Sequence, residues 1–355
     1  VARFFSLRLH SGRRSVFLAE MLNDMTMRWA LLGLLMLGAW GCGPAAQEPM
    51  KVIFDTDMGP DFDDVGAMAM LHAFADEGKI EILATISSNS DPHAGPVVEA
   101  INRWYGRLGL PIGKPPAGSP RLTASNGWAA RVASRHPHNL DSTGAAPDAV
   151  ALCRRILASS PDSSITFITT GFFSNLAALL LSPADSLSPL EGRQLVAAKV
   201  RMLVSMAGAF PSGEEFNFGT DSSASATVAR LWPGPILFAG YETGLNILTG
   251  KRLVTEGDSA SPVWQAYAYC LPNFEGQPQP LGRSSWDQTA VWAAVQGPAP
   301  HFGVERGRMN VQMNGYNRWL AAPAMPHLRL TSAGPAAEAA AAFEELMMRP
   351  PRRQP

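Results

Sequence analysis

The sequence predicts an α/β fold, an open, mostly parallel, Rossmann-like sheet flanked by helices, and three observations predict it. From Met50 onward, short β-rich apolar runs alternate with longer stretches of helical periodicity. The first of these run strand, helix, strand at a spacing that implies a parallel crossover. The composition, 46% hydrophobic and 17% charged with 32 Gly and 29 Pro, suits a compact α/β enzyme better than a disordered or coiled-coil chain. At 355 residues the chain can bury a large core, with one large domain as the default.

The elements follow in order. "KVIF" and "IEILATISS" read as buried strands, joined by "DVGAMAMLHAFADEG", a helix with a carboxylate-rich N-terminus. A second helix is expected at "PVVEAINRWYGRLG". Next come "SITFITTG" as a strand, "FFSNLAALLLS" as a helix, and "KVRMLVSMAG" and "PILFAG" as further strands. "SWDQTAVWAAVQG" opens as a loop and continues as a helix. In such a sheet, sites gather at the carboxyl ends of the strands. The stretch between "LGLPIG" and "DAVALCRRIL" reads as one long loop, of a length often used for binding lids. His136 and His138 lie in it without an assigned role.

Lys plus Arg, 29, nearly cancels Asp plus Glu, 30, so no broad basic field exists to attract nucleic acid. The three cysteines form neither a CxxC pair nor a zinc-spaced cluster. "MRWALLGLLMLGAWGC" has a cationic start, an apolar run too short to span a bilayer and small residues before Cys42. It resembles a bacterial lipoprotein signal, so export to the periplasm or anchoring through a lipidated Cys42 is expected. The expected organisation is therefore an upstream over-extension of the reading frame (1–26), the signal (27–42), a tether (43–50), a catalytic domain (51–332), and a C-terminal helix and tail (333–355).

The segment "KVIFDTDMGPDFDDVGAMAML" carries Asp55, Asp57, Asp61, Asp63 and Asp64 within ten positions, between two apolar runs. Like charges this close repel and are costly to desolvate unless something cationic sits among them. One or two carboxylates would serve to cap a helix. Five are better explained by a hard cation, and oxygen-only ligands point to calcium or magnesium over zinc.

"DTDMGPDFDDVGAMAML" resembles the N-terminal signature of the inosine-uridine nucleoside hydrolases, DxDxGxDD followed by an apolar helix, with two more residues after Gly59. Further landmarks follow in order: "ISSNS", "ITTGFFSN", "EEFNF" and "SSWDQTAV", so the resemblance covers about residues 51 to 320. It implies Ca2+ held by Asp57, Asp64, Asp287 and the Thr170 carbonyl. It implies Asp57 as general base, Asp63, Asn89, Glu215 and Asn217 around the ribose, and Asp55 as a brace beneath the loop. Asp61 is left open as ligand or helix cap.

Where many members carry a His before the late Asp, this chain has Trp286, which resembles the purine-preferring branch, in which an indole stacks on the base. Trp128 is a candidate second stacking partner. The expected partner is a small-molecule nucleoside, whose N-glycosidic bond breaks through an oxocarbenium-like state. The resemblance also leaves room for a homo-oligomer. Two rivals stand beside it: a haloacid-dehalogenase-like phosphohydrolase with Asp55 as nucleophile and a downstream Lys, and a calcium-dependent nucleoside- or sugar-binding surface protein without catalysis.

Overall fold

The computed structural model describes residues 48–352, so the signal segment with Cys42 lies outside the described residues. Strand β1 (Met50–Thr56) runs through the interior of a ten-stranded sheet. Its side chains alternate between two apolar layers, Val52 and Phe54 facing one and Ile53 the other. A strand covered on both faces needs apolar residues at successive positions, which is why the run reads as continuously hydrophobic. All three side chains are buried, and truncating Phe54 to Ala would cost about 3–5 kcal/mol.

Helix Asp63–Asp76 crosses to β2 (Ile80–Ser87), parallel to β1, and helix Ala94–Trp104 leads on to the short β3 (Ile112–Gly113). The chain then returns past β1, so that β4 (Ile165–Thr169) pairs with its opposite side. It continues through β5 (Val200–Met206), the short β6 (Ser212–Gly213) and β7 (Ile236–Ala239). A separate two-stranded ribbon joins β8 (Leu248–Thr249) to β9 (Arg283–Ser284). The last strands are β10 (Phe302–Val311), β11 (Asn317–Ala321) and β12 (His327–Ser332). The sheet order is β3-β2-β1-β4-β5-β7-β12-β10-β11-β6, parallel from β3 to β12 and antiparallel beyond it. The strand order reverses between β1 and β4, and at such a switch point the carboxyl ends of two strands open a crevice.

Two features differ from the sequence expectation. The antiparallel strands β10 and β11 were not expected, because β10 alternates buried with charged exposed residues and lacks the continuous apolar run of a central strand. The long loop folds a helix, Trp128–Ala133, whose tryptophan is fully buried in the apolar layer. The terminal helix, Ala336–Met347, forms where the sequence predicts one: Phe343 and Leu346 are buried in the same layer, and Glu344 accepts from the backbone N–H groups of Gly250 and Arg252 at 2.7 and 3.0 Å.

Candidate active site

The site is built where β1 and β4 end. Beyond Thr56 the chain turns through Gly59, whose φ of +136° favours glycine, and enters helix Asp63–Asp76 with Asp63 and Asp64 in its first turn. Beyond β4, Thr170 continues the ladder, its N–H donating to the Asp55 carbonyl at 2.8 Å. Gly171 comes next, and any Cβ there would stand 2.4 Å from the Asp57 backbone nitrogen. Only glycine lets the two strand ends come this close.

Helix Trp286–Val295 brings in the late carboxylate. The N–H groups of Trp286 and Asp287 donate to Asp63 Oδ2 at 3.0 and 3.2 Å, so Asp63 ties together segments more than 220 positions apart. Asp64 lies beneath, fully buried. Its Oδ1 accepts from the hydroxyls of Thr56 and of Thr170, the latter at 3.2 Å. Asp64 Oδ2 is buried with no hydrogen-bond partner.

Electrostatics follow from this packing. Burial, and then the charges of Asp64, Asp61 and Asp63, push Asp57 well above the usual carboxylate range. Burial and neighbouring carboxylates do the same to Asp63 and Asp287. Asp64 is pushed up to about 7, by burial first and the charge of Asp61 second. Carboxylates so placed are unfavourable as a set unless protons or a cation compensate them. Oxygens of Asp61, Asp63 and Asp64 lie within 4.8 Å of one another. With its oxygen donors and the orphaned Asp64 Oδ2, the site fits a hard divalent cation.

A cavity of about 250 Å³ opens above these groups. Of the residues singled out in the sequence, Asp57, Asp61, Asp63, Thr170, Glu215, Asn217, Trp286 and Asp287 line it. Glu215 accepts from the N–H groups of Gly208, Asn217 and Phe218, and burial pushes its carboxyl up. The Asn217 amide donates to the Thr170 carbonyl at 3.1 Å, and that oxygen keeps a second lone pair. Asp55 sits below the cavity, fully buried, with Asn175 Nδ2 donating to its Oδ1 at 3.1 Å.

Two expectations are corrected, and for Asp61 one of its two alternatives is set aside. Asn89 does not line the cavity. Its amide donates to the carbonyls of Asp57 and Leu122 at 2.9 and 2.8 Å, and its Oδ1 accepts from the N–H groups of Asp91 and Leu122, so it braces the loop. Trp128 is fully buried away from the cavity and cannot stack on a ligand there. Asp61 does not cap the helix, because the cap position falls on Phe62; it accepts instead from Arg283 Nη2 at 2.6 Å. His136 and His138 are also absent from the lining.

The cavity contains groups that sequence reasoning missed. Arg283 reaches in from β9, and Tyr241, just past the end of β7, stacks on Trp286 with ring centroids 5.5 Å apart. The signal for Tyr241 was its place at the carboxyl end of a parallel strand; for Arg283 it was a lone cation three positions before the tryptophan.

Comparison with known proteins agrees with this geometry. The family profile described as inosine-uridine preferring nucleoside hydrolase matches residues 52–329. Among solved structures, a plant nucleoside hydrolase superposes with a TM-score of 0.67 at 19% identity, over 85% of this chain and 100% of that one. A purine-preferring ribonucleoside hydrolase from Gardnerella vaginalis gives 0.64 at 16% identity, over 84% and 96%. An inosine-uridine preferring nucleoside hydrolase from Bacillus anthracis gives 0.60 at 14%, over 84% and 97%. Such identities speak for the fold alone. A search among curated proteins found no match. The phosphohydrolase reading falls with the family match, and no lysine lines the cavity among the described residues. With the profile spanning nearly the whole sheet and the acidic turn facing Asp287 across the cavity, the chain belongs to the inosine-uridine preferring nucleoside hydrolase family and is an N-glycosyl hydrolase.

Proposed function

We propose that the protein hydrolyses the N-glycosidic bond of ribonucleosides in a calcium-dependent reaction, with a preference for purines, releasing free base and ribose. One observation carries the reading: the early acidic turn and the late Asp287 meet in one cavity, joined by the hydrogen bonds to Asp63. Calcium would be held by Asp57, Asp64, Asp287 and the Thr170 carbonyl, and when bound it supplies positive charge that lowers the pKa of a water and favours a sugar diol.

Asp57 lines the cavity floor and accepts the proton of the attacking water as C1′ gains its new oxygen. Glu215 and Asn217 hold ribose hydroxyls from the opposite wall, their positions fixed by backbone bonds. Asp63 keeps Oδ2 on the late loop and offers its remaining oxygen to a sugar hydroxyl. Asp55 acts from below, with Asn175, to hold the end of β1. The purine preference is supported by the aromatic residues of the lining, Trp286, Tyr241 and Phe274, against which a large base can stack.

The test is a screen of purine and pyrimidine ribosides, with and without chelator, reading free base and ribose. Release that needs calcium and is faster for purines is expected. Ligand binding without release would instead mark a calcium-dependent binding protein. Export through the segment ending at Cys42 belongs to the same proposal, and acyl labelling of the full-length chain against Cys42→Ser tests it.

A further inference from the structure

Breaking an N-glycosidic bond leaves the electron pair on a ring nitrogen, and the cavity must meet that charge. Its lining contains no histidine among the described residues. The Trp286 indole N–H is already committed, donating to the Tyr241 carbonyl at 2.8 Å. The Asn217 amide is likewise committed, to the carbonyls of Thr170 and Met206. Carboxylates are the wrong sign. That leaves Arg283.

Arg283 is the one positive charge in the lining among the described residues. Its side chain is only 15% exposed and gives Nη2 to Asp61 at 2.6 Å. Its guanidinium sits over the rings of Phe274 and Trp286, each at 5.0 Å, and of Phe62 at 5.5 Å. Three aromatic rings and one carboxylate fix the guanidinium beside the wall against which a base would stack. Its Nε is buried without an acceptor, and among the described residues the hydrogen bond its guanidinium makes is the one from Nη2 to Asp61. A held, charged donor with N–H groups unclaimed, inside a catalytic cavity, awaits an acceptor supplied by the ligand.

We infer that Arg283 is the leaving-group residue of this enzyme, donating a hydrogen bond to the base as the C1′–N bond breaks. The inference rests on the N-glycosidic reading above. In the step, the C1′–N electron pair passes to the base and delocalises over its ring. Arg283 stabilises that anion without giving up a proton, since a guanidinium is too weak an acid. The water adds its hydroxyl oxygen to C1′ and passes one proton to Asp57, which releases it to solvent, and the base anion takes a proton from solvent, so that nucleoside and water become base and ribose. Asp61, from the two-residue insertion after Gly59, positions the cation.

The test compares a poor leaving group with a good one: inosine and p-nitrophenyl β-D-ribofuranoside, whose nitrophenolate needs little help. Arg283→Met, which keeps a long apolar stem between the rings, is expected to lower kcat on inosine about 100-fold and on the nitrophenyl riboside less than about threefold. Inhibition by free ribose should not change. Arg283→Lys, which keeps the charge and the packing, should recover about tenfold of the inosine loss. Equal losses on both substrates at an unchanged melting temperature, or no loss on inosine, would overturn the inference while leaving the hydrolase reading intact. Should Arg283→Met not fold, Arg283→Lys decides alone: an inosine rate that falls no further than the nitrophenyl rate overturns the assignment. A wild-type protein that cleaves neither riboside overturns the hydrolase reading and this inference with it.

Discussion

Two regions of this molecule bury charge, and they do so in opposite ways. Arg154, 2% exposed, gives Nε and Nη2 to the two oxygens of Asp185 at 2.8 and 2.9 Å and Nη1 to Ser182 at 2.9 Å. Nη2 also reaches the carbonyls of Ser188 and Leu190. The cation is answered from within the fold. The aspartate cluster is not: Asp57, Asp63, Asp64 and Asp287 are all buried, burial and neighbouring carboxylates raise each of them, and Arg283 gives its hydrogen bond to Asp61. A buried charge the protein satisfies itself is architecture. One it leaves short of partners is a site, because something from solution must complete it.

The sharpest break in that comparison comes from neutralising one member of each region. Asp57→Asn should lower kcat on a purine riboside about 10³-fold, the loss of a general base. Yet in chelator its melting temperature should not fall, since one of several repelling charges is gone. A variant that loses activity and stability together would mean that Asp57 holds the fold rather than the reaction.

Calcium should separate the regions next. At a thousand times its dissociation constant, an ion bound only by the folded chain stabilises it by about 4 kcal/mol. Thermal melting with calcium against chelator should show that increment for wild type and for Arg154→Met alike, and lose it for Asp64→Asn. An increment that survives in Asp64→Asn would place the ion elsewhere.

How much of this contrast could be read beforehand depends on what each residue needs. The parallel sheet was legible because strands covered on both faces leave continuous apolar runs, as at "KVIF". The aspartates were legible because five carboxylates beside a core have few physical explanations. Arg283 was not: its importance comes from standing over Phe62, Phe274 and Trp286, and only the fold brings these together. Trp128 and Asn89 misled for a related reason. Asn89 lies just past the end of β2 and Trp128 in the long connection after β3, but sequence spacing does not say which way a side chain points, and theirs turn into backbone and core.

pH sharpens the comparison further. A carboxyl raised from 3.8 to about 7, as Asp64 is, binds more protons folded than unfolded between those values. The stability that goes with its bound proton is therefore fully present below the lower value and is progressively lost as pH rises through the upper one. In chelator, wild type should thus fall behind Asp64→Asn as pH goes from 4 to 7, with the gap constant above, at about 4 kcal/mol. Calcium should abolish the effect. A gap that is flat with pH in chelator would mean that Asp64 is not taxed by its burial.

The smallest effect is expected at the satisfied region, and its sign should be reversed. Arg154→Met removes the donors that Ser182 and the carbonyls of Ser188 and Leu190 now share. Leaving those oxygens without partners should destabilise the fold by about 2 kcal/mol, read by urea denaturation, with kcat unchanged. The hydrogen bond from Arg154 holds Asp185 well below the usual carboxylate range. A depressed carboxyl contributes stability above its unfolded value and loses it as pH falls toward the folded one, so the deficit of Arg154→Met should shrink below about pH 4. Replacing charge in the aspartate cluster relieves the metal-free protein, and replacing it here injures it. If Arg154→Met were instead neutral in stability at pH 7, completeness of hydrogen bonding would not be what distinguishes a structural charge from a functional one in this fold.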